Sequence, residues 1–511
     1  MAEDVRPKKT LVLHSLFFIV AFLALFAFYL AVALAVPYTS DHASIFLEAR
    51  SILSGNVLLK GWTLSTVSYF TTEIPFYILG VLIFGNTEKV IYLVSAANYA
   101  LLNLIVISYS SITRSGRIMP GRLLTSTVFS LFIACLISTW GFLSPNHAVG
   151  FTWCLCSLYF LRLGDAPVSK TNLLLSGLFL LLAFTGDTFT IYTWGIPVCL
   201  VLFFRSFGRE NRRTCIKLLI VTLAAIVLSQ GILRLIVLSG GFSVPGQAIK
   251  YVDYSDIPQN VYLFFIGLFD LFSVNFFGKP VLSFASDLNL VHMLGLVVFI
   301  AALAKSVKRL GRGLILKQIL TVVILVDFAA YLFSNMPVPD RSTVRYLMPA
   351  LLAGIILITD YIVDLKLYRV KPVLVLLVCA VIGASVIPKM ARSRMALPVA
   401  DLDIFLVDHH LVNGYGPYWL ASITTVHTQG VVTIRPVISP NNDYIQPNYW
   451  LAENDWFASP ATFVVFGRDD SFNITIDTAI KTFGKPDNAY KVDNYTVLVW
   501  KRNITPELRS P

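Results

Sequence analysis

Long apolar runs separated by short polar breaks fill most of the chain, beginning near residues 11, 67, 90, 123, 147, 171, 190, 216, 260, 287, 318, 345 and 371. The first, residues 11–36, holds no fixed charge, and at about 1.5 Å per residue it outruns the roughly 30 Å of bilayer hydrocarbon. It is too long for the apolar part of a signal peptide and lacks a small-residue cleavage site, so it is expected to remain as a first spanning helix. Beyond residue 389 the pattern changes. Residues 431–438, 461–466 and 495–500 are rich in β-branched and aromatic residues and bounded by Gly, Pro, Asn and Asp, which predicts strands of a small mixed α/β module. Neither repeats nor heptads interrupt this plan.

Composition agrees with lipid as the main solvent. The chain is 56% hydrophobic and 14% charged, against the roughly 25% charged of a soluble domain. The net charge of +11 lies in short loops rather than in a patch, so it marks topology and excludes nucleic acid as the partner. All six cysteines lie in or beside apolar segments and the polar tail has none, which argues against disulfides and a cysteine metal site.

Charge also settles which runs cross. If 67–85 and 260–278 both spanned, Arg114, Arg117, Arg122, Arg162, Lys170, Arg205, Arg209, Arg212, Arg213 and Lys217 would face outward, against the positive-inside rule. If neither spans, these residues share the cytoplasm with Arg6, Lys8, Lys9 and the loops around 305–317 and 364–371. The two runs then lie at the outer interface, as their aromatics and internal polar residues suit. The expectation is a polytopic α-helical membrane protein with about eleven spans. Its membrane domain is 1–388, with outer loops at 37–89 and 239–286, and an extracytoplasmic domain follows at 389–511.

This map gathers candidate chemistry on the outer face: Asp41, His42, Glu48 and Glu73 in the first loop, His147 and Asp187 at turns, then Lys279, Asp340, Arg341 and Arg345. Carboxylates opposite cations suit a reaction in which a nucleophile loses a proton while a phosphate leaves. Solvated loop residues are the plainer reading of any one of them. Residues 40–53 read as a short helix started by Ser40 or Asp41 and stopped by Gly55. The positive end of that helix favours an ionised Asp41, hence a base, although an N-cap role explains the same residue. Within spans, Arg234 and Asp327 call for a polar cavity or partner, or for snorkelling at Arg234. The aromatics of Gly414-Tyr415-Gly416-Pro417-Tyr418-Trp419 suit either stacking on a sugar face or burial in a core.

A first span, then "DHASIFLEARSILSGN", then "TTEIPFYILGVLIFGN", and later "DRSTVRYLMPALLAGIIL" resembles the GT-C superfamily of membrane glycosyltransferases, with protein O-mannosyltransferases and lipid A aminoarabinose transferases nearest. The family's Asp-Glu pair is Asp41-His42 here. Its Lys-Pro-Pro segment is Ile74-Pro75 preceded by Glu73, so one phosphate-binding cation is missing. A Thr-Lys-Gly turn reads Thr185-Gly186-Asp187, and His147 stands where some relatives place a second carboxylate.

The resemblance implies inverting transfer of a sugar from a polyprenyl-phosphate donor to a glycan, lipid or protein acceptor on the extracytoplasmic side; on general grounds the membrane is expected to be a bacterial inner (cytoplasmic) one, and the charge map puts the N-terminus in the cytoplasm. Asp41 would be the catalytic base. His42, Glu73, His147 and Asp187 would serve the acceptor or support the site, and Arg341, Arg345 and Lys279 would bind the donor phosphate. The resemblance calls for no particular cofactor, and use of a divalent cation is left open. The competing readings are a transporter or flippase of lipid-linked sugars, and a polymerase or ligase of surface polysaccharide. A transporter should show repeat symmetry and broken helices at mid-membrane, which this sequence does not.

Overall fold

A computed structural model describes residues 5–111, 119–162, 168–208, 212–246, 249–274, 280, 283–312, 314–365, 397–467 and 472–508. The helices, in chain order, are α1 (Val5–Leu34), α2 (Ser40–Leu53), α3 (Glu73–Phe84), α4 (Lys89–Ser111), α5 (Pro120–Trp140), α6 (Ala148–Arg162), α7 (Lys170–Gly186), α8 (Ile196–Ser206), α9 (Arg212–Leu238), α10 (Ile257–Leu271), α11 (Phe284–Lys308), α12 (Ile315–Phe333), α13 (Met348–Asp364), α14 (Ala400–Asp408), α15 (Tyr418–His427) and α16 (Ile476–Phe483).

Among the described residues seven helical segments are long and apolar enough to cross a bilayer: Leu16–Leu34, Lys89–Ser111, Pro120–Ile137, Arg212–Leu238, Ser286–Lys308, Ile315–Phe333 and Ser342–Asp364. The chain is an integral membrane protein. Glu73–Phe84, Ala148–Phe160, Lys170–Gly186 and Ile191–Ser206 are apolar but shorter. The 12 residues of α3 rise only about 18 Å, well short of the hydrocarbon thickness. The expected run from 371, and the domain boundary near 388, lie outside the described residues.

Contacts group the chain into two compact units, residues 1–36, 95–231 and 248–393 in the first and 37–94, 232–247 and 394–511 in the second. In the first, α13 packs against α5, α11 and α12. It is buried at every position from Met348 to Thr359, as an apolar-all-round helix must be. Gly354 lets the Phe299 ring lie where a Cβ would stand 2.3 Å from it. Asp327, deep in α12, accepts the backbone N–H of Ala350 at 3.1 Å, one of the orphan donors of α13's first turn. That is the partner its burial demands.

In the second unit a mixed six-stranded sheet has the order β4 (Gln446–Pro447), β3 (Thr433–Ile438), β2 (Asn413–Gly416), β6 (Phe463–Gly467), β8 (Tyr495–Val499), β7 (Asn488–Val492). Its central pairs β2–β3 and β2–β6 are parallel. Parallel neighbours need a crossover, and α15 supplies it between β2 and β3. The expected strand regions hold β3, β6 and β8. Tyr415, Val464, Leu498 and Trp500 belong to the core of this unit.

The first outer loop folds into the same unit. Its β1 (Trp62–Thr63) pairs antiparallel with β5 (Ala452–Glu453), and the Trp62 ring meets Trp456 edge-on at 5.0 Å. Residues just after α9 join as well, Ser243 accepting the Leu64 N–H at 2.9 Å. Between them α2 packs on both α3 and α15.

Candidate active site

In the second unit the chemistry starts with how α2 begins. Its N-cap is Thr39, which corrects the expectation of Ser40 or Asp41. The reason is His42, whose Nδ1 accepts the Thr39 N–H at 2.9 Å and closes the first turn. One ring nitrogen of His42 is therefore committed to the helix start. Ser40 and Asp41 are released to face α15. Ser40 Oγ donates to the Tyr418 carbonyl at 2.7 Å, and Ser44 Oγ donates to Ser422 Oγ at 3.1 Å.

Asp41 Oδ1 accepts the Tyr418 hydroxyl at 2.5 Å. The carboxylate is half-buried, whereas Tyr418 is 3% exposed. Burial, together with the nearby carboxyls of Asp41 and Glu48, pushes the Tyr418 phenol well above its ordinary range, so it stays a proton donor. Glu48, two turns after Asp41, is buried at 1% exposure, and burial raises its carboxyl well above the usual range. Glu73 opens α3 and is fully buried.

The raised Glu48 carboxyl has a pH signature. The folded chain holds this proton above the pH at which an unfolded glutamate loses it, so folded protein binds more protons across that window. Stability is then full below the ordinary glutamate range and declines as pH rises toward the folded value. The limit is about 1.4 kcal/mol per pH unit for one proton. Thermal unfolding of wild type between about pH 5 and pH 8 should show this decline, and Glu48→Gln should flatten it. Parallel curves would mean that Glu48 is ionised in the fold.

In the first unit His147 and Asp187 form a buried pair, Nδ1 to Oδ2 at 2.8 Å. Three local features set it. His147 caps α6 from the left-handed region, φ 64°, a conformation of some cost for a non-glycine residue. Asp187 follows the end of α7, and its Oδ1 accepts the Phe189 N–H at 3.2 Å. Gly150 leaves the space that a Cβ would occupy 2.7 Å from Asp187 Oδ2.

The His147 ring stands 4.9 Å from Phe189 and 6.1 Å from Tyr346. Next to it the Arg345 guanidinium lies 5.2 Å over the Tyr346 ring and donates to its hydroxyl at 3.4 Å. Arg345 belongs to the 3-10 turn Ser342–Leu347, which Arg341 opens at φ 64°. Arg341 Nη1 donates to Asp270 Oδ2 of α10 at 3.1 Å.

The first unit thus pairs His147 with Asp187, sets Tyr346 near both His147 and Arg345, and pairs Arg341 with Asp270. The second unit holds Asp41, His42 and Glu73. Lys279 lies outside the described residues. Among the described residues no three His, Cys, Asp or Glu side chains converge as metal ligands would. The sequence reading offered Tyr418 as a sugar-stacking or core aromatic and not as a partner of Asp41, and it did not single out Asp270 or Tyr346 as site residues. The only signal for Tyr418 was its place in an aromatic, glycine-rich stretch at a strand end, and Asp270 sat unremarked in an interfacial run.

No protein-family model and no curated protein matches the sequence. Among solved structures the chain is similar to ArnT from Cupriavidus metallidurans in the apo state, with a TM-score of 0.52 at 12% identity, covering 97% of this chain and 99% of that one. The same protein bound to undecaprenyl phosphate gives a TM-score of 0.50 at 13% identity, covering 94% and 97%. The likeness is one of fold. This chain has an ArnT-like fold, mostly helical, with sheet in its C-terminal region.

Proposed function

We propose that this chain is a glycosyltransferase that moves a sugar from a polyprenyl-phosphate donor to an acceptor hydroxyl on the extracytoplasmic face of a bacterial cytoplasmic membrane. The observation that carries this reading is the nearly full-length fold likeness to a protein whose structure holds undecaprenyl phosphate. The acceptor oxygen attacks the anomeric carbon, and Asp41 takes its proton. The bond from that carbon to the phosphate oxygen breaks, polyprenyl phosphate leaves with the electron pair, and the anomeric configuration inverts.

Each assigned residue has a physical reason. Asp41 is half-buried, so an acceptor can reach it, and Tyr418 donates to one of its oxygens. Arg345 neutralises charge growing on the departing phosphate, for which a planar, permanently charged guanidinium suits. Arg341, ion-paired with Asp270, offers the phosphate its remaining guanidinium donors. The His147–Asp187 pair orients the acceptor or the donor sugar by hydrogen bonds. The topology goes with this reading: about eleven spans, the N-terminus inside and the C-terminal domain outside.

The test is transfer of radiolabelled sugar from a panel of polyprenyl-phosphate sugars in membranes carrying the protein, with labelled glycan, lipid and protein fractions separated afterwards. At least one donor should label one fraction. Failure of every donor across all three acceptor fractions would count against the reading.

A further inference from the structure

We infer that Tyr418, a residue of the C-terminal segment, is the positioning residue for Asp41, so that the extracytoplasmic domain completes the catalytic group rather than merely adjoining it. This rests on the reading of Asp41 as the base.

Asp41 is the second residue of α2, a half-buried position at which an aspartate has several rotamers open to it. Here one of its oxygens takes a hydrogen bond from a phenol that is packed on its surroundings. The Tyr418 ring is 3% exposed and lies 5.0 Å from Trp419 and 6.3 Å from Phe472. Its backbone is fixed as well, because Ser40 Oγ donates to the Tyr418 carbonyl at 2.7 Å. One turn further along each helix, the Ser44–Ser422 bond at 3.1 Å repeats the contact. Positions i and i+4 share a helix face, so the two bonds together set the register of α15 on α2.

A single packing contact would not need this much polar chemistry, and each buried polar bond demands good geometry. The bond from a neutral hydroxyl to a carboxylate is charge-assisted and directional. With Oδ1 occupied, Oδ2 is the oxygen that meets the acceptor proton. Burial, with the Asp41 carboxylate beside it, raises the Tyr418 phenol, so Tyr418 is the donor in this bond. Proper orientation of a reacting group is worth orders of magnitude in rate, which is what this contact supplies.

The experiment is a double-mutant cycle on kcat and KM with purified full-length protein, rates being normalised to the folded fraction. Tyr418→Phe keeps the ring and removes only the hydroxyl. It should lower kcat by roughly 10- to 100-fold, the effect of one charge-assisted hydrogen bond, with donor KM little changed. Because Tyr418 acts through Asp41, Tyr418→Phe placed on Asp41→Asn should cost almost nothing more. Wild-type kcat in Tyr418→Phe, or a loss that multiplies onto that of Asp41→Asn, would overturn the inference and leave Asp41 as the base. Wild-type turnover in Asp41→Asn alone would instead remove the base reading, and this inference with it.

Discussion

Asp41→Asn is expected to lower kcat for sugar transfer by roughly 10²- to 10⁴-fold, the usual contribution of a general base. The substitution is isosteric, and the amide oxygen can still accept the Tyr418 hydroxyl. The helix start built from Thr39 and His42 does not involve this side chain. Geometry and membrane insertion should therefore survive while basicity is lost. Single-turnover measurements at saturating donor separate this outcome from weakened binding. Transfer at the wild-type rate would show that another group takes the proton.

The second large effect is expected on the donor side. Arg345→Ala should raise the KM or Kd for the lipid-phosphate donor by roughly 10- to 100-fold, as loss of a hydrogen-bonded charge does. Arg345→Lys should restore only part of it, since an ammonium has neither the planar fork nor the flat face that rests on Tyr346. Titration with the polyprenyl phosphate product alone reads this without catalysis. Unchanged affinity in Arg345→Ala would transfer the phosphate role to other cations.

Among the described residues, the seven helices long and apolar enough to span were readable because they are written in long stretches of apolar sequence, where composition and length alone decide. The strands β3, β6 and β8 were readable for a similar reason, through their β-branched and aromatic content. The start of α2 was not. Thr39, Ser40 and Asp41 are consecutive residues that can each cap a helix, so local preference does not choose among them. The choice falls to His42, which reaches back to Thr39.

Long-range pairing was the other blind spot. Asp41 and Tyr418 are 377 positions apart, and nothing local to either announces the other. The partner of Asp327 is a backbone N–H, which leaves no trace in residue type. Arg341 was seen as a cation, but its engagement by Asp270 depends on how α10 is placed beside the turn that Arg341 opens. His147 and Asp187 were both singled out, yet their contact depends on a left-handed backbone at His147 and on the bare Gly150.

The most direct measurement of the central claim uses a donor labelled twice, tritium in the sugar and phosphorus-32 in the phosphate, given to sealed proteoliposomes of the purified protein with acceptor outside. The account predicts that the labels part company, the sugar passing to the acceptor fraction and the phosphate staying with the polyprenyl lipid. If both labels cross the bilayer together, with the bond between them intact, the protein moves lipid-linked sugars rather than cleaving them, and the transferase account is contradicted.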